Sequence, residues 1–244
     1  SRLPEARLQL VDFVSWQREL GRRRLFNDQL AYWKNQLGKP NARFAFKTPG
    51  KKRKKRSFKT ATQTFEASPS VMAELARIAS RENCTSFMLL LAALNLVLYL
   101  YSGETEIPVG TTVANRGRSG ADEIIGNCLN VIVLKTPIYH QMTFIQFLRQ
   151  VKEVCLAAVM HQDVPFGQVA RAVTSQTSRA KNIPLFQVML IYQRRTGQPL
   201  TLPGLELASL GDNYRRGEQN VLLTTLDWMF DLRESSTKLT GSAT

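Results

Sequence analysis

One stretch of the sequence decides how the remainder is read: Gly126-Asn127-Cys128-Leu129-Asn130-Val131-Ile132-Val133-Leu134-Lys135-Thr136. Apart from Asn130, its second half is apolar and mostly β-branched, and Pro137 then ends it because proline cannot continue a central strand. So little polar alternation is typical of a strand covered by helices on both faces, which predicts a strand in the middle of a sheet. Gly126 permits a backbone turn that a side chain would obstruct.

Asn130 is the unusual residue of this stretch. A buried amide without hydrogen-bond partners would destabilise the fold. The residue is therefore either a satisfied structural amide or a side chain pointed at a cavity, and the sequence leaves both alternatives open.

Composition limits the class of protein. The 244 residues suffice for one large domain or two small ones, and the apolar content of 43% is ordinary for a globular protein. The three cysteines, at positions 84, 128 and 155, show no metal-ligand or disulfide spacing, which favours a reducing compartment and a cytoplasmic location. The longest apolar run, residues 87–101, is shorter than the ~20 residues that span a bilayer, so we expect a buried helix and no membrane contact.

The formal net charge of +14 is concentrated in one segment. Nine Lys or Arg residues and no acidic residue lie between Arg43 and Lys59, and without them the charge would be +5. Such a run predicts a solvated loop. Because no aromatic residue interrupts positions 51–56 to stack on bases, and no recognition fold surrounds them, we expect no nucleic-acid function.

Hydrophobic periodicity predicts an α/β protein with a mixed sheet flanked by helices. Residues 1–40 form N-terminal helices, 41–57 a basic loop and 58–244 an α/β lobe. Asp163 is expected to cap a helix whose first turn contains Pro165. The predicted helices are 10–37 (interrupted at 21–24), 69–82, 87–101, 144–160 and 164–173, and the predicted strands are 58–65, 107–114, 130–136, 185–192, 199–210, 221–230 and 238–244.

Residues that could form an active site are scarce. The chain has two histidines, His140 and His161, and contains no GxSxG, HExxH or clustered carboxylate pair. Asp163 follows His161 by two residues, a spacing that does not place both on one helix face. The sequence therefore predicts neither a self-contained catalytic site nor a metal site.

Five separated stretches, in order, resemble the C-terminal half of the condensation domains of nonribosomal peptide synthetases. One of them, residues 29–34, Gln-Leu-Ala-Tyr-Trp-Lys, is similar to the segment that follows the first family motif. Residues 10–17, Leu-Val-Asp-Phe-Val-Ser-Trp-Gln, resemble Tyr-x-Asp-Tyr-Ala-x-Trp-Gln, and residues 125–131 resemble Ile-Gly-x-Phe-Val-Asn-Thr. Residues 161–166 match His-Gln-Asp-x-Pro-Phe, although Gly167 stands where Glu is usual. Residues 184–188 match the end of Ser-Arg-Asn-Pro-Leu-Phe-Gln-Val, while residues 181–183 depart from its start.

The resemblance implies a chloramphenicol-acetyltransferase-like lobe, one of two that form a V with a tunnel between them. Donor and acceptor peptidyl carrier proteins would present thioesters on phosphopantetheine arms, and an adenylation domain would be a neighbour. The family's His-His-x-x-x-Asp-Gly motif belongs to the N-terminal lobe and is absent from this sequence. We therefore expect no catalytic residue and no directly bound cofactor in this chain, and no activity without the N-terminal lobe.

The resemblance also implies roles for particular residues. Asn130 and Gly126 are expected to line the substrate tunnel. Asp12 and Trp16 are expected to provide packing and inter-lobe support. The residues expected to support the wall beside the cleft are His161, Gln162, Asp163, Pro165 and Phe166.

Three alternatives remain open. Epimerisation domains share the implied fold, but they usually differ from the Gly-x-x-x-Asn pattern at 126–130. A coenzyme-A-dependent acyltransferase would also fit the fold. The third alternative is a non-catalytic docking lobe whose basic loop binds an acidic carrier protein.

Overall fold

The computed structural model describes residues 7–38, 60–117, 120–175, 184–194, 204–205, 226–235 and 238–244. Within these ranges, helices and strands alternate as in an α/β protein. In chain order they are α1 Leu10–Arg22, α2 Asn27–Leu37, β1 Gln63–Ala67, α3 Pro69–Arg81, α4 Ser86–Ser102, β2 Val109–Val113, β3 Asn130–Leu134, α5 Phe144–Met160, α6 Phe166–Thr174, β4 Val188–Arg194, β5 Trp228–Glu234 and β6 Leu239–Ala243.

The strands form one mixed sheet in the order β1-β6-β5-β4-β2-β3. Strand β4 lies between β2 and β5 and is parallel to both, whereas the remaining neighbours are antiparallel. The predicted mixed sheet is confirmed. The basic loop 41–57 and most of the predicted strand 199–210 lie outside the described residues, and the first observed strand begins at Gln63, five residues later than predicted.

Strand β3 is at the edge of the sheet, so its predicted central position is wrong. The strand is nevertheless buried, with Ile132, Val133 and Leu134 at most 4% exposed, because α5 and α6 pack against it. At its end, the Gln36 side chain of α2 donates a hydrogen bond to the Lys135 carbonyl at 2.9 Å. A continuous apolar run thus indicates that both faces of a strand are buried, but it does not indicate that another strand pairs with each of its edges.

Helix α4 is only partly buried, although its sequence predicted a buried helix. Leu91 and Leu98 face the core, whereas Leu100 and Tyr101 near the end of the helix are about two-thirds exposed. Thr85 caps its start by accepting a hydrogen bond from Met88 N, and Gly103 ends it in the left-handed conformation. Val71 of α3, predicted to face inward, is also exposed.

No single helix in the described part of the chain is long and apolar enough to cross a membrane. The pair α3 and α4 meets the length and composition requirements together, with a bend of 107° between the two helices.

Two hydrophobic clusters hold the described elements. The larger one lies between the sheet and the helices. The smaller one joins the loop before β3 to α1 and contains Ala121, Ile124 and Cys128, with Leu8, Leu10 and Phe13 packed against it. The second cluster places the N-terminal helix against the loop that contains Gly126.

Candidate functional site

The α5–α6 segment, residues 161–166, is fixed by side chains from distant parts of the chain. Trp33 Nε1, from α2, donates to the carbonyl of His161 at 2.9 Å. Gln17 Nε2, from α1, donates to the carbonyl of Asp163 at 3.4 Å. These bonds satisfy backbone acceptors that a non-helical segment would otherwise leave without partners.

Asn130, on strand β3, makes further bonds to this segment. Its Nδ2 donates to the carbonyls of Gln162 at 2.8 Å and Val164 at 2.7 Å. Its Oδ1 accepts from the N–H of Phe166 at 3.0 Å and from its neighbour Val131 at 2.9 Å. The side chain is therefore a satisfied structural amide, which is one of the two alternatives that the sequence left open. Four successive carbonyls, 161–164, all accept from side chains.

Helix α6 begins with a cap that its own sequence does not provide. Phe166 is its first residue, and the preceding Pro165 makes no side-chain capping bond. The predicted cap, Asp163, is wrong, because the helix starts too late for that side chain to serve it. Its Oδ2 instead accepts from Gln29 Nε2 at 3.1 Å. The Asn130 oxygen takes the capping position from across the fold.

The His161 ring is held between α5 and α2. Its Nδ1 lies 2.7 Å from the carbonyl of Ala157, and the ring stacks on Tyr32 with centroids 3.9 Å apart and an interplanar angle of 9°. Burial raises the pKa of Tyr32 to about 12 and that of the Cys155 thiol to about 12. Both side chains are therefore neutral at physiological pH, and the Tyr32 ring that stacks on His161 carries no charge.

Gly126 lies where α1 approaches the loop before β3. A Cβ atom at this position would be 2.9 Å from Leu10 Cδ2, so the close contact requires glycine or a shift of Leu10. The described contacts of Gly126 are thus with α1, and lining of a tunnel by Gly126 and Asn130 stays a prediction.

Arg116 holds the same loop from inside. Its Nη1 donates to the carbonyls of Ala121 at 2.8 Å and Ile124 at 2.7 Å, and its Nη2 donates to the carbonyl of Gly126 at 2.7 Å. The rigid fork of the guanidinium suits this three-point contact. The sequence analysis missed Arg116, because no local pattern indicates which distant carbonyls an arginine will reach.

Asp12 and Trp16 have local partners in the described structure. Asp12 is exposed, and its Oδ2 accepts from Gln9 N at 2.9 Å at the start of α1. Trp16 is half-buried and packs against Phe13 with ring centroids 5.7 Å apart. Their inter-lobe role stays a prediction. Gln17, which follows Trp16, makes the direct contact with the α5–α6 segment.

Residues for proton transfer or metal binding are not gathered at one place in the described ranges. His140 is exposed, and the ring of His161 is occupied by its contacts with Ala157 and Tyr32. No group of three or more His, Cys, Asp or Glu side chains within those ranges could hold a metal ion. The arrangement supports and orients a segment of backbone rather than presenting a reactive group.

The comparisons with known proteins agree on one family. The family model for the condensation domain matches residues 1–221. Gramicidin S synthase 2 of Aneurinibacillus migulanus is 31% identical over 232 residues, which cover 95% of this chain. Tyrocidine synthase 3 of Brevibacillus parabrevis is 31% identical over 206 residues, which cover 84% of this chain. The matches cover 5% and 3% of these two relatives, so the chain corresponds to a small part of much longer proteins.

Solved structures with similar folds extend well beyond this chain. The X-domain from teicoplanin biosynthesis superimposes with a TM-score of 0.76 at 22% identity, over 100% of this chain and 55% of its own. The condensation domain from the monacolin K polyketide synthase MokA gives a TM-score of 0.78 at 18% identity, over 100% of this chain and 57% of its own. At these identities the likeness shows the fold alone, and it confirms the predicted chloramphenicol-acetyltransferase-like lobe.

Proposed function

The chain belongs to the condensation-domain family, and from this membership we propose that it is the C-terminal lobe of an amide-forming unit in a nonribosomal peptide synthetase. In this unit the acceptor amine attacks the carbonyl carbon of the donor thioester. The C–N bond forms, the C–S bond breaks, and the thiol of a phosphopantetheine arm leaves. Peptidyl carrier proteins hold both substrates, and an adenylation domain is a neighbour in the same polypeptide.

One observation carries the proposal: three of the family-like stretches meet at one hydrogen-bonded cluster. Gln17 belongs to residues 10–17, Asn130 belongs to residues 125–131, and the α5–α6 segment is residues 161–166. Residues 146 positions apart in the sequence are thus joined by a direct contact between Gln17 and Asp163. This cluster supports a common task for the three stretches, which is to fix one wall beside the substrates.

In the proposed unit, this lobe positions the substrates and the other lobe provides the histidine that handles the amine proton. Support comes from the two histidines of this chain, since His140 is exposed and His161 is engaged by Tyr32 and Ala157. General-base assistance contributes roughly 10²–10⁴-fold to a rate. We therefore expect negligible amide formation by this lobe alone.

Asn130 and Gly126 have indirect roles in this proposal. Asn130 fixes the backbone of residues 162–166, and this backbone shapes the tunnel wall. Gly126 lets α1 approach the loop before β3, which places that loop beside the same wall. A wall displaced by as little as about 1 Å could cost 10²-fold in rate, because the reacting atoms must meet at a defined geometry.

The test is single-turnover amide formation by the polypeptide that carries both lobes, with donor-loaded and acceptor-loaded carrier proteins and detection by mass spectrometry. The expected result is amide product from the two-lobe polypeptide and none from the 244-residue chain. The proposal fails if the two-lobe polypeptide forms no amide from any loaded pair, or if the chain alone matches its rate.

A further inference from the structure

The loop before β3 presents two large apolar side chains to solvent. Ile125 is 88% exposed, the most of any large hydrophobic residue in the described ranges, and Leu129 is 60% exposed. Each follows a buried residue directly, since Ile124 and Cys128 are at most 5% exposed. The loop is therefore anchored in the small hydrophobic cluster immediately before each exposed side chain.

This exposure is combined with a rigid backbone. Arg116 donates to the carbonyls of Ile124 and Gly126, the residues on either side of Ile125. Leu129 N donates to Asn127 Oδ1 at 3.0 Å, which fixes the turn before Leu129. A single exposed apolar residue needs no explanation. Two of them on one anchored loop form a preorganised contact surface, which loses little conformational entropy when it is covered.

The charges around the two side chains do not decide the choice of partner. Charges of both signs lie there: Asp122 and Glu123 are exposed in the same loop, and the guanidinium of Arg116 donates to the carbonyls on either side of Ile125. Neither sign dominates this surface, so its distinguishing feature is the pair of exposed apolar side chains. A fitting partner therefore offers an apolar face.

We propose that Ile125 and Leu129 pack against the complementary lobe of the same polypeptide. The inference rests on the proposed function, because the partner is the other half of that unit. The similar solved structures match this chain over only 55% and 57% of their own lengths, so a large part of each fold is available to cover the loop. A partner in the same polypeptide has a high effective concentration and needs only a modest contact surface. Leu129 directly precedes Asn130, so this contact would place the complementary lobe beside the cluster that holds residues 162–166.

Photo-crosslinking in the two-lobe polypeptide tests the contact. The crosslinking amino acid p-benzoylphenylalanine replaces Ile125 in one variant and Leu129 in another. A third variant carries it at Leu100, which is 70% exposed on α4 and serves as the matched control. After irradiation and digestion, we expect positions 125 and 129 to link to peptides of the same molecule outside residues 1–244, and position 100 not to link to those peptides. Links from 125 and 129 to a carrier protein, to a second molecule or only to residues 1–244, or no link at all, would overturn the inference.

A charged substitution gives a second readout. Ile125→Asp is expected to slow single-turnover amide formation roughly tenfold or more, as for residues central to an interface, while Leu100→Asp leaves the rate unchanged. A wild-type rate from a folded Ile125→Asp protein would also overturn the inference. If the wild-type polypeptide forms no amide, the proposed function fails, but the crosslinks still report whether the other lobe covers the loop.

Discussion

Phe166 N donates a hydrogen bond to Asn130 Oδ1 at 3.0 Å, so a strand residue 36 positions earlier caps helix α6. The same amide donates to the carbonyls of Gln162 and Val164. One side chain thus sets both the start of a helix and the path of the segment before it. This relationship explains why an amide occupies a strand whose other residues are apolar.

Replacing Asn130 by Asp should destabilise the fold at neutral pH. The carboxylate keeps an acceptor for Phe166 N but loses the two donors, and it faces the carbonyls of Gln162 and Val164. We expect a loss of about 2–4 kcal/mol in the free energy of unfolding, because two buried carbonyls lose their donors and a poorly solvated carboxylate is placed against them. Urea denaturation measures the change, and Asn35→Asp on the exposed side of α2 is the control. Equal stability of the two variants would contradict the described bonding.

Replacing Arg116 by Lys should loosen the loop that contains Ile125 and Gly126. Lysine retains the charge but cannot reach three carbonyls with one planar fork. We expect amide hydrogens of residues 121–127 to exchange at least tenfold faster, together with a loss of about 1–3 kcal/mol in stability. Hydrogen exchange followed by mass spectrometry checks this, with Arg77→Lys on the surface of α3 as the control. Unchanged exchange in residues 121–127 would show that the three bonds do not hold the loop.

Gly126→Ala should destabilise the fold through one neighbour, Leu10. The new Cβ would meet Leu10 Cδ2 at 2.9 Å, and we expect a cost of about 1–3 kcal/mol. In a Leu10→Ala background the same change should cost clearly less, which a double-mutant cycle would reveal. Gly167→Ala is the control, because a Cβ there meets no atom within 4 Å. An identical cost in both backgrounds would rule out the contact as the cause.

The stability of the chain should fall at alkaline pH, in part through Cys155. Burial raises the pKa of this thiol from 9.0 to about 12, so the folded state holds a proton that the unfolded state releases. The stabilising effect is complete below pH 9 and is lost as the pH rises towards 12, with a slope of at most about 1.4 kcal/mol per pH unit for one proton.

Denaturation curves between pH 8 and 11 test this dependence. Cys155→Ala should flatten the decline, although it also lowers stability at every pH by leaving a small cavity. The prediction concerns only the slope of the free energy of unfolding against pH, and not its absolute value. Parallel stability curves for the two proteins would mean that the thiol does not contribute.

The sequence was informative where a local pattern determines the outcome. Thr85 and Thr143 cap α4 and α5 by accepting from backbone N–H groups three residues later, a local relationship of the kind that a sequence pattern can indicate. Hydrophobic periodicity predicted the mixed sheet and the order of the described helices and strands along the chain. It did not predict the position of β3 at the sheet edge, since an apolar run reports burial but not which strands are neighbours.

The candidate site was less readable because its bonds join distant residues. Asn130 stood out as an amide in an apolar strand, but its partners lie 32 to 36 positions away. Gln29, Trp33 and Arg116 each make a specific hydrogen bond at or beside the site, and the sequence did not indicate the partners of these bonds. Asp163 was misassigned as a cap because Asp before a helix is usually one, whereas here Asn130 occupies that position.

The most direct test of the central claim is the single-turnover rate of amide formation in the two-lobe polypeptide with Asn130→Ala, compared with the wild type and with Asn35→Ala. If Asn130 fixes the wall beside the substrates, its removal should lower the rate at least tenfold in a protein that remains folded, and Asn35→Ala should have no effect. A folded Asn130→Ala protein that forms amide at the wild-type rate would contradict the claim that the cluster around Asn130 serves the reaction.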